Sequence, residues 1–140
     1  MTGLDAEARR LLFEHVSGYD ELEALLLLHA APARAWTVVE VAAALRIAAL
    51  DAAAALGELS AHRLLATENA SAPERFRYAP ADGALAAGVD RLAQAYAGQR
   101  LDVVKQMSAN AIERLRSSAA RAFADAFLLG KKKIDQGGQP

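Results

Sequence analysis

Residues 37–80 constrain the fold of this 140-residue chain more than any other part of its sequence. Thr37 precedes Glu40 by three residues, and this spacing lets the two side chains cap the first turn of a helix reciprocally. Apolar side chains then recur at helical spacing, at Val38, Val41 and Leu45. The pattern predicts a short helix that begins after Thr37 and ends in a turn at Arg46-Ile47.

A second helix and a β-hairpin are predicted to follow. The second helix has an inward apolar stripe, made of Ala52, Ala55, Leu56 and Leu59. It should end near His62, and a strand should begin at Leu64-Leu65. Residues 67–74 are polar and contain a proline, whereas Arg75-Phe76-Arg77-Tyr78 alternates cationic and aromatic residues, which is typical of a return strand. The whole stretch therefore predicts a helix–turn–helix followed by a β-hairpin.

This order of residues resembles the bacterial winged-helix transcriptional regulators of the MarR-like group. Residues matching the family's core positions are Leu45-Arg46-Ile47, Ala55-Leu56, Leu59 and Leu64-Leu65. The similarity extends over roughly residues 19–129, with further matches at Leu22, Leu25, Leu26, Leu28, Ala35-Trp36-Thr37 and Phe123-Ala124-Asp125-Ala126-Phe127. The resemblance implies a winged helix-turn-helix domain with a β-hairpin wing and long C-terminal helices. It also implies a dimeric regulator of transcription that binds double-stranded DNA.

The second predicted helix differs from the family at the exposed positions that contact DNA. Recognition helices present donors to bases and phosphates, but the matching positions here are Ala48, Ala49, Leu50, Asp51, Ala53, Ala54, Gly57 and Glu58. Because alanine replaces the family's serine-like cap at position 48, we expect Asp51 to cap a later helix start. The candidate DNA-binding residues are Arg46, Asp51, Ala53, Ala54, Arg75 and Arg77. The three arginines suit phosphate contacts, which position a protein without reading sequence.

The C-terminal third carries the positive charge and a heptad-like apolar pattern. Residues 81–133 hold nine basic and five acidic side chains, whereas residues 1–36 hold three and six. The apolar seam runs from Leu85 to Met107, and a further helix is expected after Ser108-Ala109-Asn110. The candidate dimerisation residues are Leu85, Val89, Leu92, Tyr96, Val103, Met107, Phe123 and Phe127. The pattern predicts a homodimer in which these helices pair either parallel or antiparallel.

The predicted fold class is mainly α (α+β), in four segments. Residues 1–18 should form an N-terminal helix with Leu4, Leu11, Leu12 and Val16 inward. Residues 19–80 should form the winged helix-turn-helix domain, residues 81–130 the helical dimerisation region, and residues 131–140 a disordered basic tail.

The sequence does not favour a metalloprotein, an enzyme, a secreted protein or a membrane protein. The chain has no cysteine, and its three histidines lie in separate predicted elements, so we expect no metal site and no cofactor. No catalytic constellation is evident, and we expect no enzyme. Acidic residues near the N-terminus predict no signal peptide, and charges interrupt every apolar run, so a cytoplasmic protein without a membrane span is expected. Two functions remain open: a DNA-binding regulator, or a winged helix that docks a protein partner on its alanine-rich second helix.

Overall fold

A computed structural model describes residues 4–69 and 72–137 of the chain. This part is mainly helical with a small three-stranded antiparallel sheet, which confirms the predicted mainly α (α+β) class. The elements in chain order are α1 (Ala6–His15), α2 (Tyr19–Ala30), β1 (Trp36–Thr37), α3 (Val38–Leu45), α4 (Ala49–Ala61), β2 (Leu65–Glu68), β3 (Arg75–Tyr78), α5 (Gly83–Gly98) and α6 (Arg100–Gly137).

The chain divides into two compact units, Met1–Met107 and Ser108–Pro140. The segment boundaries predicted at residues 18 and 80 fall inside the first unit, where α1 packs along α5. Helix α6 begins in the first unit and continues as the second. The N-terminal helix is therefore part of the same unit as the helix–turn–helix.

Helix α3 begins as the sequence predicts. The backbone N–H of Glu40 donates to the Thr37 hydroxyl at 3.2 Å, and the backbone N–H of Thr37 donates to a Glu40 carboxylate oxygen at 2.9 Å. These two bonds satisfy amide groups that the first turn of a helix leaves without intrahelical partners. The reciprocal cap fixes where α3 starts.

The sheet joins the start of α3 to the hairpin. Its strand order is β1-β3-β2, with Trp36 opposite Phe76 and Thr37 opposite Arg75. Trp36 and Phe76 are both buried. Thr37 is at once the last residue of β1 and the N-cap of α3, so no residue separates the sheet from the helix.

The core of the first unit is aliphatic. Its largest fully buried side chains are Leu12, Val16, Leu22, Leu25, Leu28, Val41, Leu56, Leu59, Leu64, Val89, Leu92 and Val103. Every helix from α1 to α5 contributes to this set or to the buried residues around it. Burial of a leucine or valine side chain stabilises a fold by roughly 1.5–3 kcal/mol, so this cluster is the main source of the unit's stability.

The C-terminal helices differ from the prediction at their junction and at their end. The break lies at Gln99, which follows Gly98 with a non-helical backbone of φ −137° and ψ 47°, whereas the sequence predicted a break at residues 108–110. No glycine or proline interrupts residues 99–129, so α6 continues without a break. It runs to Gly137, although a disordered tail was predicted from residue 131; residues 138–140 lie outside the described residues.

Candidate nucleic-acid interface

Arg46 occupies the turn between α3 and α4. It is the C-cap of α3 in the left-handed conformation, with φ 59° and ψ 47°, and its side chain is exposed. The next backbone amide, of Ile47, donates to the carbonyl of Ala42 at 3.1 Å and closes the turn. The structure therefore presents this predicted cation to solvent at the end of α3.

Helix α4 begins earlier than predicted. Ala48 is its N-cap and makes no side-chain capping bond, while Asp51 lies in the first turn. The prediction that Asp51 caps a later start is wrong, because the chain reaches helical geometry directly from the α3 turn. Asp51 can still favour the helix electrostatically, since a carboxylate in the first turn complements the helix dipole.

The two faces of α4 lie as the sequence predicts. The inward stripe of Ala52, Ala55, Leu56 and Leu59 is buried, and the opposite face is exposed at Asp51, Ala53, Ala54, Gly57 and Glu58. Leu50, also on α4, is 84% exposed. The exposed face thus offers methyl groups and two carboxylates, and no amide or cationic donor that could read a base edge.

An acidic groove lies beside α4 and was not predicted. It is a cavity of about 280 Å³ between the start of α2 and α4, and its carboxylates are Asp20, Glu21, Asp51 and Glu58. Ala54 and Ala55 also line it. Glu21 accepts from the Ser17 hydroxyl at 2.9 Å. The sequence showed the acids Asp51 and Glu58 on the second helix and an excess of acids in residues 1–36, but nothing in it places the two sets side by side.

The two predicted hairpin arginines, Arg75 and Arg77, differ in their surroundings. Arg75 is exposed beside Thr37 in the ladder. Arg77 makes an ion pair with Glu68 on the adjacent strand, and this bond was not predicted. Cross-strand ion pairs form between neighbouring positions on one face of a sheet. A phosphate would therefore have to compete with Glu68 for Arg77.

A further cation, Arg34, lies close to the start of α3. Its guanidinium is 3.5 Å from the Trp36 ring centroid and 3.6 Å from a Glu40 carboxylate oxygen. The hydrogen bond from the Thr37 backbone, followed by the charges of Arg34 and Arg75, lowers the pKa of Glu40 below its ordinary value. Sequence reasoning missed Arg34 because its partners Trp36 and Glu40, two and six residues further on, follow no helical or strand repeat.

Four of the eight candidate dimerisation residues are buried within the first unit. Leu85, Val89, Leu92 and Val103 belong to the core of the first unit, and Met107 packs against it. The hydroxyl of Tyr96 lies 2.9 Å from that of Tyr19 on α2. The dimerisation role predicted for Leu85, Val89, Leu92 and Val103 is corrected, because the core of the first unit already covers these side chains. Tyr96 and Met107 are half-buried, and their role in a dimer stays a prediction. Phe123 and Phe127 remain exposed on α6.

The structure brings together histidines that are far apart in the sequence. His15 at the end of α1 and His62 at the end of α4 have their Nδ1 atoms 3.1 Å apart. Burial, followed by the charge of His62, lowers the pKa of His15. His29 instead contacts Asp90, with Nε2 and the carboxylate oxygen 2.9 Å apart. The sequence placed the three histidines in separate elements and predicted no contact between any two of them.

Comparison with known proteins adds no relatives to these observations. None of the described helices is both long and apolar enough to cross a membrane. Neither a family model, nor a curated protein, nor a solved structure matches this chain.

Proposed function

We propose that residues 19–80 form a winged helix-turn-helix domain and that the chain is a transcriptional regulator that contacts DNA phosphates. The support for the fold is the element order: α3, a tight turn, α4, then the β2–β3 hairpin, whose strand β3 pairs with the short strand before α3. The resemblance to MarR-like regulators, noted on the residues of this stretch, points the same way.

The observation that carries the proposal is the placement of two exposed arginines at the two ends of α3. Arg46 ends the helix, and Arg75 lies opposite Thr37, which begins it. An eight-residue helix is about 12 Å long at 1.5 Å per residue, so the two cations are spaced to reach separate phosphates. Phosphate contacts position a protein on the duplex without specifying sequence.

The proposed mode of binding is electrostatic, with little base readout. The exposed face of α4 carries no donor, and Asp51 and Glu58 would repel the phosphate backbone. Affinity should therefore depend steeply on salt and weakly on sequence, because binding through phosphates releases condensed counterions.

Fluorescence anisotropy with two labelled duplexes of unrelated sequence, titrated with salt, tests this proposal. Arg46→Ala and Arg75→Ala should each weaken both duplexes alike and reduce the salt slope by about one. Arg77→Ala is the matched control, since Glu68 already holds its guanidinium, and it should change the slope less. Absence of binding at low salt, or arginine variants that bind as the wild type does, would overturn it.

The acidic groove favours a second function, a docking site for a basic segment of another protein. Four carboxylates surround a concave surface with alanine methyl groups at Ala54 and Ala55, which suits a Lys-rich helix with small apolar side chains. Charge complementarity of this kind steers association and excludes acidic partners. A labelled amphipathic Lys/Ala peptide should bind the wild type and lose affinity with Asp51→Asn plus Glu58→Gln. Equal affinity for both proteins would exclude this function.

We further propose that α6 pairs with α6 of a second copy. The helix has an exposed apolar stripe, defined here as Ile112, Leu115, Phe123 and Phe127. Phe123 is 75% and Leu115 71% exposed, and exposed apolar surface of this extent marks interaction sites. In a two-fold dimer the same surface patch contacts itself on both subunits. A second copy of this chain therefore supplies a matching stripe of the same length.

A further inference from the structure

The side chains of His15 and His62 meet where the end of α1 reaches the end of α4. Their Nδ1 atoms are 3.1 Å apart, and the ring planes lie at 85° to each other. At this distance one nitrogen must donate a hydrogen and the other must accept it through its lone pair. The contact therefore requires that one of the two Nδ1 atoms carries no proton.

The pair can take up one proton and keep this hydrogen bond, but it cannot take up two. The first proton binds the outer Nε2 atom of the donating ring, and the imidazolium that results is a stronger donor to the neutral ring. A second proton has only the accepting Nδ1 atom left as its site. Two hydrogens would then face each other between two positively charged rings, so the rings must separate.

Charged groups of both signs surround the pair. The Nε2 atom of each ring lies near a carboxylate of its own helix, at 3.8 Å from Glu14 in α1 and 4.0 Å from Glu58 in α4. Asp82, the N-cap of α5, favours a proton on His15, whereas Arg63 opposes it. Burial is the largest influence and the charge of the partner ring the next, and together they lower the pKa of His15. The surrounding carboxylates thus do not offset the cost of charging this ring.

We propose that the contact between His15 and His62 is a pH-sensitive switch, which holds the end of α1 on the end of α4 near neutral pH and opens in acid. His15 is the last residue of α1, and His62 is the C-cap of α4. Opening would release the connection to α2 at residues 16–18. The rest of α1 stays in place, because Leu11 packs closely against Gly88 of α5.

The direction of the pH dependence follows from the lowered pKa of His15. Once the contact is open, the ring titrates near its ordinary value of 6.5 and binds a proton that the closed contact does not. Opening therefore takes up a proton below pH 6.5, and its equilibrium constant should rise by up to about tenfold for each pH unit until the pH falls through the folded pKa. Above pH 6.5 the contribution of the contact to stability is fully present.

Amide hydrogen exchange of the full chain, between about pH 5 and pH 8, tests the switch. Protection of the last turn of α1, corrected for the intrinsic pH dependence of exchange, should fall in acid. His15→Gln should flatten this profile, because glutamine takes up no proton, and His62→Gln should reduce its slope, because burial alone then opposes the charge. His29→Gln is the matched control, since His29 contacts Asp90 instead, and it should keep the wild-type profile. A flat wild-type profile, or an unchanged profile in His15→Gln, would overturn the proposal.

A second measurement needs no variant and so does not depend on the variants folding. In the ¹⁵N-labelled wild type near neutral pH, one ring of the pair should carry its hydrogen on Nδ1 and the other on Nε2, since the bond needs a donor and an acceptor. Protonation of the second ring should coincide with the loss of protection in α1, and both should reverse on return to neutral pH. Hydrogens on Nε2 alone in both rings, or two charged rings beside a fully protected α1, would contradict the switch.

Discussion

Gly88 of α5 lies against Leu11 of α1: a Cβ atom placed on Gly88 would be 3.4 Å from Leu11 Cδ1 and 3.5 Å from Leu11 Cβ. The backbone oxygen of Glu7 would be 3.8 Å away. A methyl group would just fit, and anything larger would push α1 away. The missing side chain at position 88 thus sets how closely α1 packs on α5.

We expect Gly88→Ile to lower the free energy of unfolding by about 1–3 kcal/mol, the usual cost of overpacking. Gly83→Ile is the control, since nothing lies within 4 Å of a Cβ at that position of the same helix. Urea denaturation of both variants measures the difference. Equal stability of the two variants would show that α1 and α5 are less tightly packed than described.

Gly57→Ala should stabilise the fold by up to about 1 kcal/mol, because alanine has the higher helix propensity. A Cβ at Gly57 would meet nothing within 4 Å, so no packing penalty opposes the gain. Arginine at the neighbouring exposed positions, Ala53 and Ala54, should leave the melting temperature almost unchanged. A fall of many degrees with Ala53→Arg would mean that this face of α4 is buried.

Asp51→Asn together with Glu58→Gln should strengthen binding to any duplex at low salt. Two unit charges 4 Å apart in water interact with about 1 kcal/mol, so each acid removed can raise the affinity up to about fivefold. Glu113→Gln, on α6, serves as the control. Should the double variant bind duplex DNA as weakly as the wild type, α4 does not approach the phosphates.

Leu115→Asp with Phe123→Asp should convert a dimer into a monomer while the first unit stays folded. Sedimentation at micromolar concentration measures the mass, and far-UV circular dichroism measures the helix content. Leu92→Asp is the contrasting variant, because Leu92 is fully buried and an unpaired buried charge should unfold the unit. A wild-type chain that sediments as a monomer would refute pairing through α6.

Glu40 should make the stability of the first unit depend on acid pH. Its pKa is lowered in the folded protein, first by the Thr37 backbone N–H and also by Arg34. Its contribution is therefore fully present above the unfolded value of about 4.5 and is lost as the pH falls through the lower folded pKa. Denaturation midpoints of wild type and Glu40→Gln should converge in acid. Parallel pH profiles would contradict the charged cap.

Sequence reasoning succeeded at the start of α3 and on the buried face of α4, where the determining contacts are local. The cap joins Thr37 and Glu40, three residues apart, and the buried stripe of α4 follows from helical spacing alone. Both features depend on residues within one or two helical turns of each other, so the sequence pattern is sufficient to predict them.

The sequence did not predict contacts between residues that are distant in the chain. His15 and His62 are 47 residues apart, and no periodicity relates them. The seam from Leu85 to Met107 predicted a second copy, yet α1 of the same chain covers the α5 part of it. An apolar stripe shows that a helix needs a partner without identifying the partner.

The absence of any residue between β1 and α3 has a mechanical consequence. With Thr37 shared by both elements, the chain has no hinge there that could absorb a movement. A displacement of β3 at Arg75 would act directly on Thr37, its partner in the ladder, and so on the first turn of α3. The position of the hairpin is therefore coupled to that of α3 through one shared residue, without a linker between sheet and helix.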